Sequence, residues 1–144
     1  MIINSVAIHY KTSLIYPAIM SYVTPRVTSQ QWEERYVAVN SVFLIVEGCQ
    51  KLVRRDLESL CLMIRPLLSD PIPVVSKKAS YFFTEASDHM GKALIEVAPW
   101  LIQDIGEMIN SQQPYYTENG LVILETVGLD YGKTHQEDML SICV

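Results

Sequence analysis

The chain has 144 residues, 49% of them apolar, with 16 acidic and 11 basic side chains and a net charge of −5. That is material for one core and not the composition of a disordered chain. No apolar run approaches the ~20 residues of a bilayer-spanning helix, and MIINSVAIHYK lacks the basic flank and long apolar centre of a signal peptide.

In chain order, a first helix is predicted from roughly Ser13 to Val27 and a second over Trp32 to Glu47, the stretch WEERYVAVNSVFLIVEG. A third carries the stripe Leu57, Leu60, Cys61, Ile64, Leu67 and Leu68 at helical spacing. Val74 to Met90, Ala93 to Ile109 and Tyr115 to Tyr131 follow, and no stretch shows the clean alternation of a strand.

These segments repeat. Ala38, Ala79 and Gly120 stand 41 residues apart and are all small. The same step joins Val42, Phe83 and Leu124, and upstream Ile19, Leu60 and Leu101, then Val23, Ile64 and Ile105, then Val27, Leu68 and Ile109. It also joins Trp32, Pro73 and Pro114, and Ser29, Asp70 and Ser111, whose side chains can cap the following helix. Apolar matches apolar across many columns, a regularity chance does not keep.

A period near 40 made of two antiparallel helices is the mark of an all-α superhelix, the HEAT-repeat solenoid. The units run roughly over 11–51, 52–92 and 93–133, with a partial unit at 134–144, about three and a half helix pairs in one domain. Each helix in such a stack is covered by its own partner and by the next pair, which explains a second helix with little polar face. Neither end carries the polar cap of a closed solenoid, so a segment of a longer solenoid, or a chain stacking on another, is expected.

With the units placed, Trp32, Arg35, Val37-Ala38 and Glu47-Gly48 resemble a second helix of the importin-beta (karyopherin) nuclear transport receptors. LLSDPIPVVSKKASYFFTEASDHMG is similar to that family's apolar pair, Asp-Pro turn and Val-Val, and VAPWLI to its mid-helix proline in a first helix. The equivalents of Arg35 are Ser76 and Thr117, so the Asp–Arg ladder between turns is expected to be incomplete. The resemblance implies a non-enzymatic receptor without cofactors, working in cytoplasm and nucleus. It also implies phenylalanine-glycine nucleoporin repeats on the first-helix face, with cargo and the GTPase Ran on the second-helix face. A structural scaffold of the phosphatase-subunit, adaptor or chromosome-associated type is the alternative.

Other chemistry fits less well. Gly128, Gly132, Lys133 and Thr134 approximate a phosphate loop, but only three residues separate the glycines and the required position holds Val127. In the repeat register Gly132-Lys133 matches Gly91-Lys92, where a helix-ending turn is expected. His9, His89 and His135 lack metal-ligand spacing. Cys49, Cys61 and Cys143 are too widely spaced for a zinc site or disulfide framework and read as thiols in a reducing compartment.

Several side chains are candidates for partner binding. Trp32 is either a partner anchor or a staple at its helix start. Glu33 and Glu34 suit the positive end of the helix dipole. A narrow polar strip of Glu34, Asn40, Ser41 and Glu47 is expected to stay uncovered. Tyr115 and Tyr116 stand at the third inter-helix turn, where loop aromatics can serve as contacts; core packing is expected for one of them. Residues 96–144 hold eight acids against Lys133 alone, an excess that repels nucleic acid and reads either as a plain solvated acidic face or as a surface for a basic partner. Glu118 and Glu125 are the candidates for basic cargo.

Overall fold

The computed structural model describes residues 12–134, with side chains as far as Leu129. It is helical, with no strand among the described residues. Helix α1 spans Thr12–Val23 and α2 spans Trp32–Ile45; α3 (Gln50–Arg55) and α4 (Leu57–Ile64) lead through a 3-10 segment, Arg65–Ser69. Then come α5 (Pro73–Val97), α6 (Leu101–Ile109) and α7 (Pro114–Thr134).

The period is visible in where helices start. α2, α5 and α7 begin at Trp32, Pro73 and Pro114, 41 residues apart. Proline suits that first position, where its missing N–H has no partner to lose. Ahead of each start the same turn closes. Ser29 Oγ accepts the Gln31 N–H at 3.1 Å, Asp70 Oδ1 accepts Ile72 N–H at 2.9 Å, and Ser111 Oγ accepts Gln113 N–H at 3.1 Å. The expected capping is thereby corrected. The acceptor serves the N–H two residues on, ordering the turn rather than the helix's first turn.

Burial follows the same count. α2 and the turn after it bury Ala38, Val39, Ser41, Val42, Ile45, Val46 and Cys49; α5 buries Ala79, Ser80, Phe82, Phe83, Ala86, Ser87 and Met90, each 41 residues on. In α7, Gly120, Ile123, Val127 and Gly128 stay in those buried columns, but Leu121 is 52% exposed. On the first-helix side Val23, Ile64 and Ile105 are all fully buried. Full burial of Phe82 and Phe83 contributes roughly 1.5–3 kcal/mol each, and their rings meet edge to face at 5.1 Å. α1 packs on α2, α2 on α5, α5 on α7 and α6 on α7, with α4 and the 3-10 segment against α5.

The break expected after Met90 is present: Met90 leaves helical geometry (φ −152°, ψ 43°), and two helices meet there within the span Pro73–Val97, so residues 93–97 lie in a helix of their own beyond the kink. Three expectations change. Pro99 is not mid-helix: Ala98 turns to φ −127°, ψ 57° and α6 starts at Leu101. Its counterpart 82 residues earlier, Pro17, does sit inside α1. Proline removes a helix donor and crowds the preceding turn, so it can end a helix or be tolerated by local context. Second, α7 runs through Gly132 and Lys133 to Thr134 without the expected turn; a helical glycine costs only about 1 kcal/mol. Finally, Ser41 is buried and donates to the Val37 carbonyl at 2.7 Å, so it is no part of an uncovered strip. Residues 1–11 and 135–144, with His9, His135, Cys143 and most of the partial unit, lie outside the described residues.

Candidate partner-binding faces

Polar side chains tie together helices and turns that are distant in sequence, in two groups. Arg35 of α2 reaches the turn before α5, with Nε 2.7 Å from Asp70 Oδ2 and Nη2 3.0 Å from Oδ1. Its Nη1 also donates to the carbonyls of Ser29 (2.9 Å) and Gln30 (3.2 Å). The hydrogen bonds to Asp70 hold the guanidinium above its usual pKa. One interval later Ser76 and Asn119 substitute for that rung. Ser76 Oγ donates to the Leu68 carbonyl at 2.6 Å and accepts from Asn119 Nδ2 at 3.1 Å, while Thr117 Oγ1 donates to the Ser111 carbonyl at 2.9 Å. The ladder is incomplete, as its missing arginines imply.

On the other side the first helices are tied differently. Tyr16 of α1 donates its hydroxyl to Asp56 Oδ2 at 3.0 Å. Arg65 grips Asp104 with two bonds (2.8 and 2.9 Å) and lies 4.3 Å over the Trp100 ring. The Arg55 hydrogen bonds hold the Asp56 carboxyl below the usual carboxylate range, the Tyr16 hydroxyl adding to the effect. Burial, then the bond to Asp56, pushes the Tyr16 phenol above its ordinary value.

Between α1 and α4 these ties leave a groove of about 560 Å³ lined by Tyr16, Pro17, Met20, Thr24, Arg55, Asp56, Ser59, Leu60 and Met63. Its floor is apolar, with the Arg55–Asp56 pair at its rim. Two methionines give a lining that adapts to an inserted ring. No sequence signal marked it, because its walls come from helices about 40 residues apart.

The six residues singled out from sequence do not form one site. Trp32 opens α2 at 39% exposure; Glu34 and Asn40 are half-buried on the same helix and Glu47 is exposed just past its end. Glu33 and Glu34 lie in the first turn, where the dipole favours them. Glu118 and Glu125 are exposed two turns apart on α7. Between the groups lies α5, which packs on both helices. Tyr116 packs against the core with Tyr115 beside it at 6.4 Å, and both are half-buried.

What sequence reasoning missed on the second-helix side is a basic, aromatic cluster. Lys78 Nζ lies 4.8 Å from the Phe43 ring centre and 5.4 Å from that of Tyr81, and Lys77 Nζ lies 5.9 Å from Tyr81. The adjacent lysines of SDPIPVVSKKA were the available signal.

The remaining reactive groups have ordinary partners. His89 contacts Gln50 Nε2 at 2.9 Å and Glu85 Oε1 at 3.2 Å, within α5 and its neighbour. Burial pushes the Cys61 thiol up to about 12 and raises that of Cys49, so neither is a ready nucleophile. Among the described residues no three His, Cys, Asp or Glu side chains gather to hold a metal, and no helix is long and apolar enough to cross a membrane. Residues 128–134 are helical, not a strand leading into a phosphate loop. No family model, curated protein or solved structure matches this chain.

Proposed function

We propose that this chain is a protein-binding HEAT-type solenoid segment, of the kind found in importin-beta-like transport receptors moving between cytoplasm and nucleus. The observation that carries the reading is the apolar groove between the first helices α1 and α4. Such receptors hold phenylalanine-glycine repeats against their first helices, and the methionine-lined floor of this groove suits a phenylalanine ring. The buried columns spaced by 41 residues support the stacked-pair arrangement. Ran and basic cargo belong to the other face, with Glu118 and Glu125 offering the charge.

The test is titration of a labelled phenylalanine-glycine repeat peptide. Ser59 is exposed on the groove wall, so Ser59→Arg fills the groove without disturbing the core. Loss of about tenfold in affinity supports the reading, a difference of about 1.4 kcal/mol; equal binding sinks it. Reversing Glu118 and Glu125 to lysine is expected to weaken a basic peptide and flatten its salt dependence.

A second reading, a scaffold or adaptor without transport partners, draws on α7. Leu121 occupies the column in which Val39 and Ser80 are fully buried, yet it is 52% exposed, and Leu129 is 71% exposed. That face suits another helix pair, from this chain or a partner. Pull-down of GTP-loaded Ran with the repeat peptide separates the readings, since a scaffold retains neither.

A further inference from the structure

Where α5 faces Phe43 of α2, two adjacent lysines carry charge of the sign opposite to that of the chain. Lys77 and Lys78 are adjacent on α5, while the whole protein is net negative at −5. Arg35, Arg55 and Arg65 each hold a carboxylate, but among the described residues no carboxylate lies within ion-pair distance of either lysine. What the ammonium groups face instead is aromatic. Lys78 sits against both Phe43 and Tyr81, whose ring centres are 6.4 Å apart across the two helices. Val74, Lys77, Lys78 and Tyr81 share one stripe of α5 by their spacing of three and four. Val74, and Val37 on α2, are 42% exposed each.

We propose that this face receives an acidic segment of a partner protein, its carboxylates against Lys77 and Lys78 and an apolar side chain beside Val37 and Val74. The charge argument is direct. Two like charges on neighbouring residues repel, and an anion placed between them removes that cost while gaining two charge-assisted hydrogen bonds. Burial, with Lys77 next to it, already lowers the Lys78 pKa, the direction an incoming carboxylate would reverse. The Tyr81 hydroxyl, which makes no hydrogen bond to any described residue, adds a third donor. The aromatic floor explains why a protein segment is favoured over a mobile counterion, because apolar contact and charge are offered together. The acid-rich remainder of the chain disfavours a nucleic-acid occupant.

The site is distinct from the groove on the first-helix side and from Glu118 and Glu125, and it stands whether or not the chain is a transport receptor. Its test uses fluorescence anisotropy with three labelled probes of equal length. One is a peptide alternating Glu with Phe and Leu, one the same peptide with Lys for Glu, and one a single-stranded RNA. The acidic peptide is expected to bind best, with an affinity that falls as salt rises. Lys77→Glu with Lys78→Gln should weaken it about tenfold or more. Lys51→Glu with Lys92→Glu, distant in sequence, should leave it unchanged. Circular dichroism on each variant separates lost binding from lost folding, and Lys77→Gln alone, at an exposed position, serves if the double variant unfolds. Preference for the basic peptide or the RNA overturns the proposal. So does acidic-peptide binding that survives the change at Lys77 in a folded variant.

Discussion

Arg35 and Asp70 meet across two helix pairs with both guanidinium-to-carboxylate bonds formed, at 2.7 and 3.0 Å. Asp70 is almost wholly buried and also accepts the Ile72 N–H that closes the turn into α5. Breaking such a pair strands a buried charge, which costs about 3–5 kcal/mol. Arg35→Ala is therefore expected to be severe, and Asp70→Ala at least as severe because the turn loses its acceptor as well. Urea unfolding of both single variants and the double variant checks this. A coupling energy near zero in that cycle would make the contact incidental.

Gly120 tells how closely α7 approaches α6. A Cβ built there would lie 2.8 Å from Met108 Cβ and 3.2 Å from the Ile109 backbone nitrogen. In an open helix Gly→Ala stabilises by about 1 kcal/mol. Here neither neighbour is the end of a flexible chain, so the clash wins and Gly120→Ala is expected to destabilise by roughly 1–3 kcal/mol. The same change made the other way, Ala79→Gly, should cost only about 1 kcal/mol. Thermal unfolding of the two variants tests the asymmetry.

The column holding Gly120 was legible in sequence, and so were the helix starts, because both obey the 41-residue count directly. Ala38, Ala79 and Gly120 are all small and buried, and at Gly120 the reason is the close approach of α7 to α6. The Arg35–Asp70 rung was anticipated by the ladder, but the ties on the first-helix side were not legible. Tyr16 and Asp56 are 40 residues apart and Arg65 and Asp104 are 39, so a column search at one period steps over both. Their spacing depends on where each first helix breaks, at Asp56 in one unit and at Ala98 in the next. The lysine cluster was hidden for a different reason. Phe43 and Lys78 meet only because α2 crosses α5 with those turns level, a packing outcome that neither helix's own pattern encodes.

The Tyr16–Asp56 tie predicts an acid-side effect. Asp56 is held below the usual carboxylate range, so the stability it contributes is present above its unfolded pKa of about 3.9 and is lost as pH falls through the folded value. Tyr16→Phe removes one hydrogen bond to the ionised carboxylate, worth about 1 kcal/mol at neutral pH. The gap between wild type and Tyr16→Phe should persist from pH 7 to pH 5 and shrink below about pH 4. Urea midpoints measured across that range decide it. A gap that stays constant to pH 2 would mean that the hydroxyl acts through packing alone.

Cys61 predicts the opposite, alkaline limb. It is fully buried in α4, and burial raises its thiol pKa to about 12. An unfolded thiol ionises near 8.5. A raised folded pKa of this kind leaves stability intact below that unfolded value and erodes it as pH climbs beyond, because the unfolded chain gains charge that the core refuses. From pH 7 to pH 10 the wild type should lose on the order of 2 kcal/mol more than Cys61→Ala, whose cavity cost is independent of pH. Urea unfolding at the two pH values, under reducing conditions, gives the comparison. In a Cys143→Ala background the native protein should also leave Cys49 and Cys61 unreactive to a thiol reagent at pH 8, and urea should release both. Rapid modification of Cys61 in the folded state would show that α4 opens far more readily than its packing implies.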